Sequence, residues 1–187
     1  MSILKTYNDI SAPKSEILRY AGIKNETSEL DKLINDCLKE SENEFSYKVI
    51  YEKFSLSFDN DVIDMTFAKT KSESLHKFLM NKKEIIVFVA TIGFGIDKLI
   101  MKYSDVSPSK AVIFQSLGVA NVEELCDRFN FDISGNKKRF SPGYGDLSLD
   151  LQKDIFRVLD TNSIGVSLND SLLMAPSKSV SAIIGID

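Results

Sequence analysis

The sequence predicts an α+β fold, a mostly antiparallel twisted sheet with flanking helices, built from one domain over residues 1–187. Three observations carry that expectation. Segments with a helical apolar period and segments of period two follow one another without regular βαβ alternation, which argues against a Rossmann arrangement. Glu84 to Thr91 (EIIVFVAT) is nearly continuous in apolar residues, as in a strand covered on both faces. Asp59-Asn60 separates two alternating stretches, the mark of a hairpin. With 187 residues, 43% of them hydrophobic and 27% charged, the chain is long enough for one well-cored domain and far from disordered compositions.

Taken in order, Ser11 ahead of Ala12-Pro13 reads as a cap with a first-turn proline, and Gly22 as a stop, so a short helix is predicted over 13–21. Ser28 opens a second helix, in which Leu30, Leu33, Ile34, Cys37 and Leu38 share one face. From Phe45 the period becomes two through Tyr47 and Val49. A slip at Tyr51-Glu52 predicts a bulge, after which Phe54, Leu56 and Phe58 resume the alternation. Val62, Ile63, Met65 and Phe67 return as the hairpin partner, and Ser72 with Glu73 starts a short helix to Met80. Beyond the 84–91 strand, Gly93-Phe94-Gly95 breaks the pattern and 96–103 is helical. Ser107-Pro108 then caps a long helix through Leu117, Leu125 and Phe129. A helix over 149–159, extended or turn structure over 164–174, a turn at Ser177-Lys178-Ser179 and a last strand over 180–186 complete the chain.

Charge and composition exclude several function classes. A net charge of -4 lowers the expectation of nucleic-acid binding, and the local basic cluster is confined to Lys137-Lys138-Arg139. Cys37 and Cys126 lie in apolar helical patterns and read as reduced core thiols of a cytosolic protein. The first residues are too quickly charged for a secretory signal. The longest uncharged apolar run, 85–96, is far short of the roughly 20 residues that span a bilayer, so no membrane association is expected. His76 is the only histidine, which leaves no catalytic triad and no His-based metal site; no metal and no catalytic residue is assigned. In Gly93-Phe94-Gly95 a third glycine of the dinucleotide pattern would fall at Lys98, so the segment reads as a structural turn.

Lys138-Arg139-Phe140-Ser141-Pro142-Gly143-Tyr144-Gly145-Asp146 is the stretch best suited to a ligand. Arg139 offers a planar fork of donors for a carboxylate or phosphate, and Gly143 and Gly145 allow positive φ and close backbone approach. Local chemistry leaves two alternatives, a ligand loop or an ordinary turn bearing a surface arginine. Glu123 and Asp127, four apart in the long helix, share a face and repel each other. A cation facing them and a solvated acidic face are both consistent with that spacing. Asp36, Glu40, Glu42 and Glu44 read as surface, and Tyr47 and Tyr51 as sheet packing.

Arg139-Phe140-Ser141-Pro142-Gly143-Tyr144-Gly145, the 164–174 segment IGVSLNDSLLM and the 176–182 segment PSKSVSA, taken together, resemble the activation domain of cobalamin-dependent methionine synthase. So do Ala90-Thr91-Ile92-Gly93, residues 105–111, the 122–127 helix segment and the 10–22 start, giving a resemblance over nearly the whole chain to stand-alone, single-domain members. That resemblance implies S-adenosylmethionine as ligand, with Arg139 on its carboxylate, Glu123 on its ammonium or sulfonium side, and Gly143 and Tyr144 at the methyl-transfer end. Pro142, Gly145 and Asp127 are further candidates. It also implies cobalamin carried by a partner, a methionine synthase or other corrinoid protein, and a flavodoxin-like or other electron donor. No D-x-H-x-x-G cobalt-ligand motif occurs in this sequence. The family domain continues beyond its S-V-S strand with further strands and a ligand-contacting tyrosine, whereas this sequence stops at Asp187. The expected function is therefore a reactivation subunit. A scaffold for a corrinoid protein that no longer binds the ligand is the alternative, and a methyltransferase acting directly on a small molecule the more distant one.

Overall fold

The computed structural model describes every residue of the chain except Lys137. Its central element is a four-stranded sheet in the order β1-β2-β6-β9, built from β1 (Ile3–Tyr7), β2 (Tyr47–Ser55), β6 (Glu84–Thr91) and β9 (Ser179–Ile186). Every pairing in it is antiparallel. A second small sheet joins β3 (Ser57–Asp59), β4 (Val62–Asp64) and β5 (Lys69–Thr70), and β7 (Ser167–Leu168) pairs with β8 (Met174–Ala175). The α+β expectation holds.

β6 shows why its sequence is apolar throughout. Ile86, Phe88 and Ala90 enter one buried cluster and Ile85, Val87 and Val89 the other, so both faces of the strand are covered. The first face is packed by α1 (Lys14–Tyr20), α2 (Ser28–Ser41), α4 (Gly95–Tyr103) and α5 (Pro108–Ser134). The second is packed by α3 (Glu73–Leu79), α6 (Leu151–Val158), the small sheet and a 3₁₀ turn at Thr161–Ile164. Phe88 and Phe129, both fully buried, meet at 4.9 Å between ring centroids and anchor α5 beneath the sheet. Each such phenylalanine contributes about 1.5–3 kcal/mol of burial.

Several expectations are corrected. β2 is unbroken: every residue from Lys48 to Ser55 has one partner on β6, so there is no bulge at Tyr51-Glu52. The apparent slip arises because Val49 faces one core and Ile50 the other in a strand covered on both sides. The Asp59-Asn60 turn does join β3 to β4, with Asp59 opposite Val62, but this hairpin belongs to the small sheet, and β2 pairs with β1 and β6 instead. β1 went unassigned in the sequence because Ile3, Leu4 and Thr6 are exposed and leave no alternating apolar signal. Pro13, with no side-chain bond, takes the cap position of α1, and Ser107 caps α5 without a side-chain bond. Thr27 caps α2 by accepting from the Leu30 amide at 3.3 Å. Glu40 is a junction rather than open surface, paired with Lys102 at 2.7 Å and Lys110 at 3.1 Å.

Candidate functional site

α5 ends in Gly135, whose φ of 69° lets its amide cap the Phe131 carbonyl at 2.9 Å and turns the chain back along the helix. That return brings Arg139 over the face carrying Glu123 and Asp127. Its Nη1 donates to Asp127 Oδ1 at 2.7 Å and its Nη2 to Glu123 Oε2. The Arg139 side chain is 12% exposed, against 39% for Glu123 and 29% for Asp127, so the cation lies beneath its acids. The spacing of these carboxylates leaves a facing cation and a solvated acidic face both open, and the structure shows the first, with Arg139 as the cation. Lys137, part of the predicted basic cluster, lies outside the described residues.

The loop is pinned at both ends. Phe140 exchanges two backbone hydrogen bonds with Ile183, at 2.9 and 2.8 Å, and so adds a bridge at the outer edge of β9. Its ring packs on Phe78 at 5.5 Å and Tyr144 at 6.0 Å. Ser141 and Pro142 are buried, while Tyr144 is 54% exposed. At the far end, Asp146 accepts from Ser72 Oγ at 2.6 Å and from the amides of Glu73 and Ser74 at 2.7 and 3.1 Å. The Ser72 hydroxyl, followed by those two amides, holds the Asp146 carboxyl well below the usual carboxylate range. No local pattern announces this latch, because its two halves lie 74 positions apart.

Gly143 and Gly145 have φ of +88° and +56°. A Cβ on Gly145 would lie 2.6 Å from Ser74 Oγ, so its close backbone approach is to α3. Phe78, Asp127, Lys138, Arg139 and Tyr144 line a cleft of about 450 Å³. On the other side of the loop, Asp146, Ser72, Glu73 and His76 with Asn60 and Asp61 border another of about 480 Å³. His76 packs its ring on Phe58 at 4.7 Å in that second cleft.

The first cleft can bind and orient, and it offers little for proton transfer. It presents one guanidinium, the Asp127 carboxylate, a lysine and two aromatic rings, with the Glu123 carboxylate held on Arg139 beside it, a set suited to a zwitterionic head group with an apolar or aromatic body. Burial pushes the Cys126 thiol beside it up to about 12, so it stays protonated at neutral pH and is no nucleophile. Among the described residues no group of His, Cys, Asp and Glu could hold a metal ion, and no helix is long and apolar enough to cross a membrane.

The chain matches the crystal structure of the MetH reactivation domain bound to AdoHcy with a TM-score of 0.67, over 98% of this chain and 77% of that one. The fold is that of the reactivation domain. At 16% identity the likeness is one of fold. No family model and no curated protein matches the sequence.

On this reactivation-domain fold, Arg139, Glu123, Asp127 and Tyr144 come together around or beside one cleft, with Pro142, Gly143 and Gly145 in the loop that carries Tyr144. Lys178 lies apart from it. Its ammonium is buried, which lowers its pKa, and donates to Gln115 Oε1 at 2.8 Å and Ser177 Oγ at 3.1 Å. The Ser177 amide reaches Asp97 Oδ2 at 2.9 Å, so this segment clasps the β8–β9 turn to α4 and α5, in keeping with its turn-like composition.

Proposed function

We propose that residues 1–187 act as one activation-type domain, a reactivation subunit that binds S-adenosylmethionine and docks on a cobalamin-dependent methionine synthase or another corrinoid protein in the cytoplasm. One observation carries the reading: on a reactivation-domain fold, a guanidinium braced by two carboxylates opens onto the same cleft as an exposed tyrosine on a two-glycine loop.

In this reading Arg139 turns from Glu123 or Asp127 to the ligand carboxylate, and the released acid takes the ligand ammonium. One ion pair is broken and two are formed, whereas a simple carboxylate would only replace the pair it breaks, so the exchange favours a zwitterion. Tyr144 and the backbone at Gly143 bound the end where the methyl sulfonium sits, and Phe78 walls the side. The partner's cobalamin supplies the methyl acceptor, and a flavodoxin-like or other donor supplies one electron. The contribution of this chain is to position the methyl carbon, a proximity effect worth several kcal/mol. The net charge of -4 and the confined basic segment are consistent with partners other than nucleic acid or membrane.

Calorimetric titration tests the ligand assignment. S-adenosylmethionine should bind, and Arg139→Ala should weaken it by about 1.5–3 kcal/mol, the scale of a charged hydrogen-bonded contact. No heat at about millimolar ligand refutes it. The second reading, a scaffold for a corrinoid protein without ligand, is favoured by one fact: Arg139 is already neutralised by its own acids. Co-purification with a corrinoid protein that survives both Arg139→Ala and Tyr144→Phe supports that reading.

A further inference from the structure

Across α5 from Arg139, a separate cavity of about 430 Å³ opens where β1, the last turn of α2 and the start of β2 meet the helix. Leu117 and Asn121, one turn apart on α5, line it. Asn121 and Glu123 are two residues apart and so point to different sides of the helix. The space exists because Thr6, Ser11, Ser41 and Ser46 stand in its lining where a closed core would carry larger apolar side chains.

Its walls are fixed without a ligand. Tyr47 donates its hydroxyl proton to Asn121 Oδ1 at 3.0 Å, the Ala12 amide reaches the same oxygen at 3.4 Å, and Asn121 Nδ2 donates to the Leu117 carbonyl at 2.9 Å. Phe45 stacks on Tyr47 with centroids 5.5 Å apart and planes at 16°. A volume of this size with a braced polar hub and an apolar floor is that of a small-molecule site.

The chemistry of the lining selects the ligand. Tyr47 spends its only proton on Asn121, so its oxygen meets a ligand as an acceptor. Glu42 brings a carboxylate to the rim, the Phe45 and Tyr47 pair supplies an aromatic wall, and among the described residues no lysine or arginine lines the cavity; Lys5, over the ring of the lining Tyr7 at 4.8 Å, is paired with Asp132 at 2.6 Å. The Glu42 carboxylate, the Tyr47 acceptor and an aromatic face, with Lys5 already paired with Asp132, together favour positive charge. We propose that this cavity binds a small, flat organic cation, independently of whatever occupies the Arg139 cleft.

Benzamidinium, with benzoate as its shape-matched anion, tests this on the full chain by ¹H–¹⁵N NMR. The expected result is saturable shifts at Ser11, Ser46 and Asn121 with benzamidinium and none with benzoate. Glu42→Gln should weaken binding about threefold, the scale of an exposed charge pair. Ser46→Phe, which plugs the mouth from an exposed position, should abolish it. Arg139→Ala should leave these shifts unchanged, which separates this outcome from failure of the S-adenosylmethionine reading. Equal shifts with benzoate, shifts that ignore Ser46→Phe, or no shift at about 10 mM benzamidinium overturn the proposal.

Discussion

Asp146 closes the loop that begins at Arg139 by laying its carboxylate on the first turn of α3, against the Ser72 hydroxyl and the amides of Glu73 and Ser74. Ser72 works twice, since its Oγ also accepts from the Leu75 amide at 3.0 Å. Ser72→Ala should therefore remove a helix cap and loosen the loop anchor together, costing about 1–2 kcal/mol in urea unfolding. An unchanged midpoint would show that the latch is ornamental. The same residues explain what was legible here. Glu123 and Asp127 at helical spacing allowed either a facing cation or a solvated acidic face, and the chain alone could not decide, because the turn at Gly135 that returns Arg139 is a matter of three-dimensional path. Gly145 read as room for a ligand, yet the atom that forbids a Cβ there belongs to Ser74, far away in the sequence.

At the scale of elements, strands and helices with one-sided or fully apolar patterns were readable, and those whose pattern reflects two environments were not. β6 was expected at 84–91 and is found there because both its faces are buried. β2 misled because its central residues feed two cores, and β1 escaped notice because its edge position leaves Ile3 and Leu4 exposed. Gly95 shows how two elements meet. It is the first residue of α4, and a Cβ there would overlap the carbonyl oxygen of Glu44 in the segment leading into β2. The Glu44 backbone cannot swing away as a flexible side chain would, so Gly95→Ala should cost about 1–3 kcal/mol, as overpacking does. Gly22→Ala offers the contrast, since nothing lies within 4 Å and only its φ of +68° resists; it should cost about 1 kcal/mol. Thermal unfolding of the two variants compares them directly, and an equal loss would mean that the α4 contact yields.

At the scale of the whole molecule, carboxylates tie distant elements together, and their protonation in acid should weaken the fold. Glu40 on α2 holds Lys102 of α4 and Lys110 of α5, and Tyr103 donates to it at 2.7 Å. The hydrogen bond from Lys102, opposed by desolvation and reinforced by Tyr103 and Lys110, brings its pKa down to about 2 from 4.5. Asp132 on α5 is likewise lowered, first by Lys5 of β1, and burial opposes this only in part. Each folded pKa lies below its unfolded value, so the unfolded chain binds protons first. For Glu40 the stabilisation is complete above about pH 5 and is lost as pH falls from about 4.5 through about 2. Glu40→Gln should therefore lower the urea midpoint at pH 7 and flatten its fall between about pH 5 and 3, because the group whose protonation drives that fall is gone. The wild-type and Glu40→Gln midpoints should converge only as the pH falls to about 2 and below. Parallel curves at all pH values would mean that Glu40 contributes by packing alone, and that the junction of α2, α4 and α5 owes nothing to its charge.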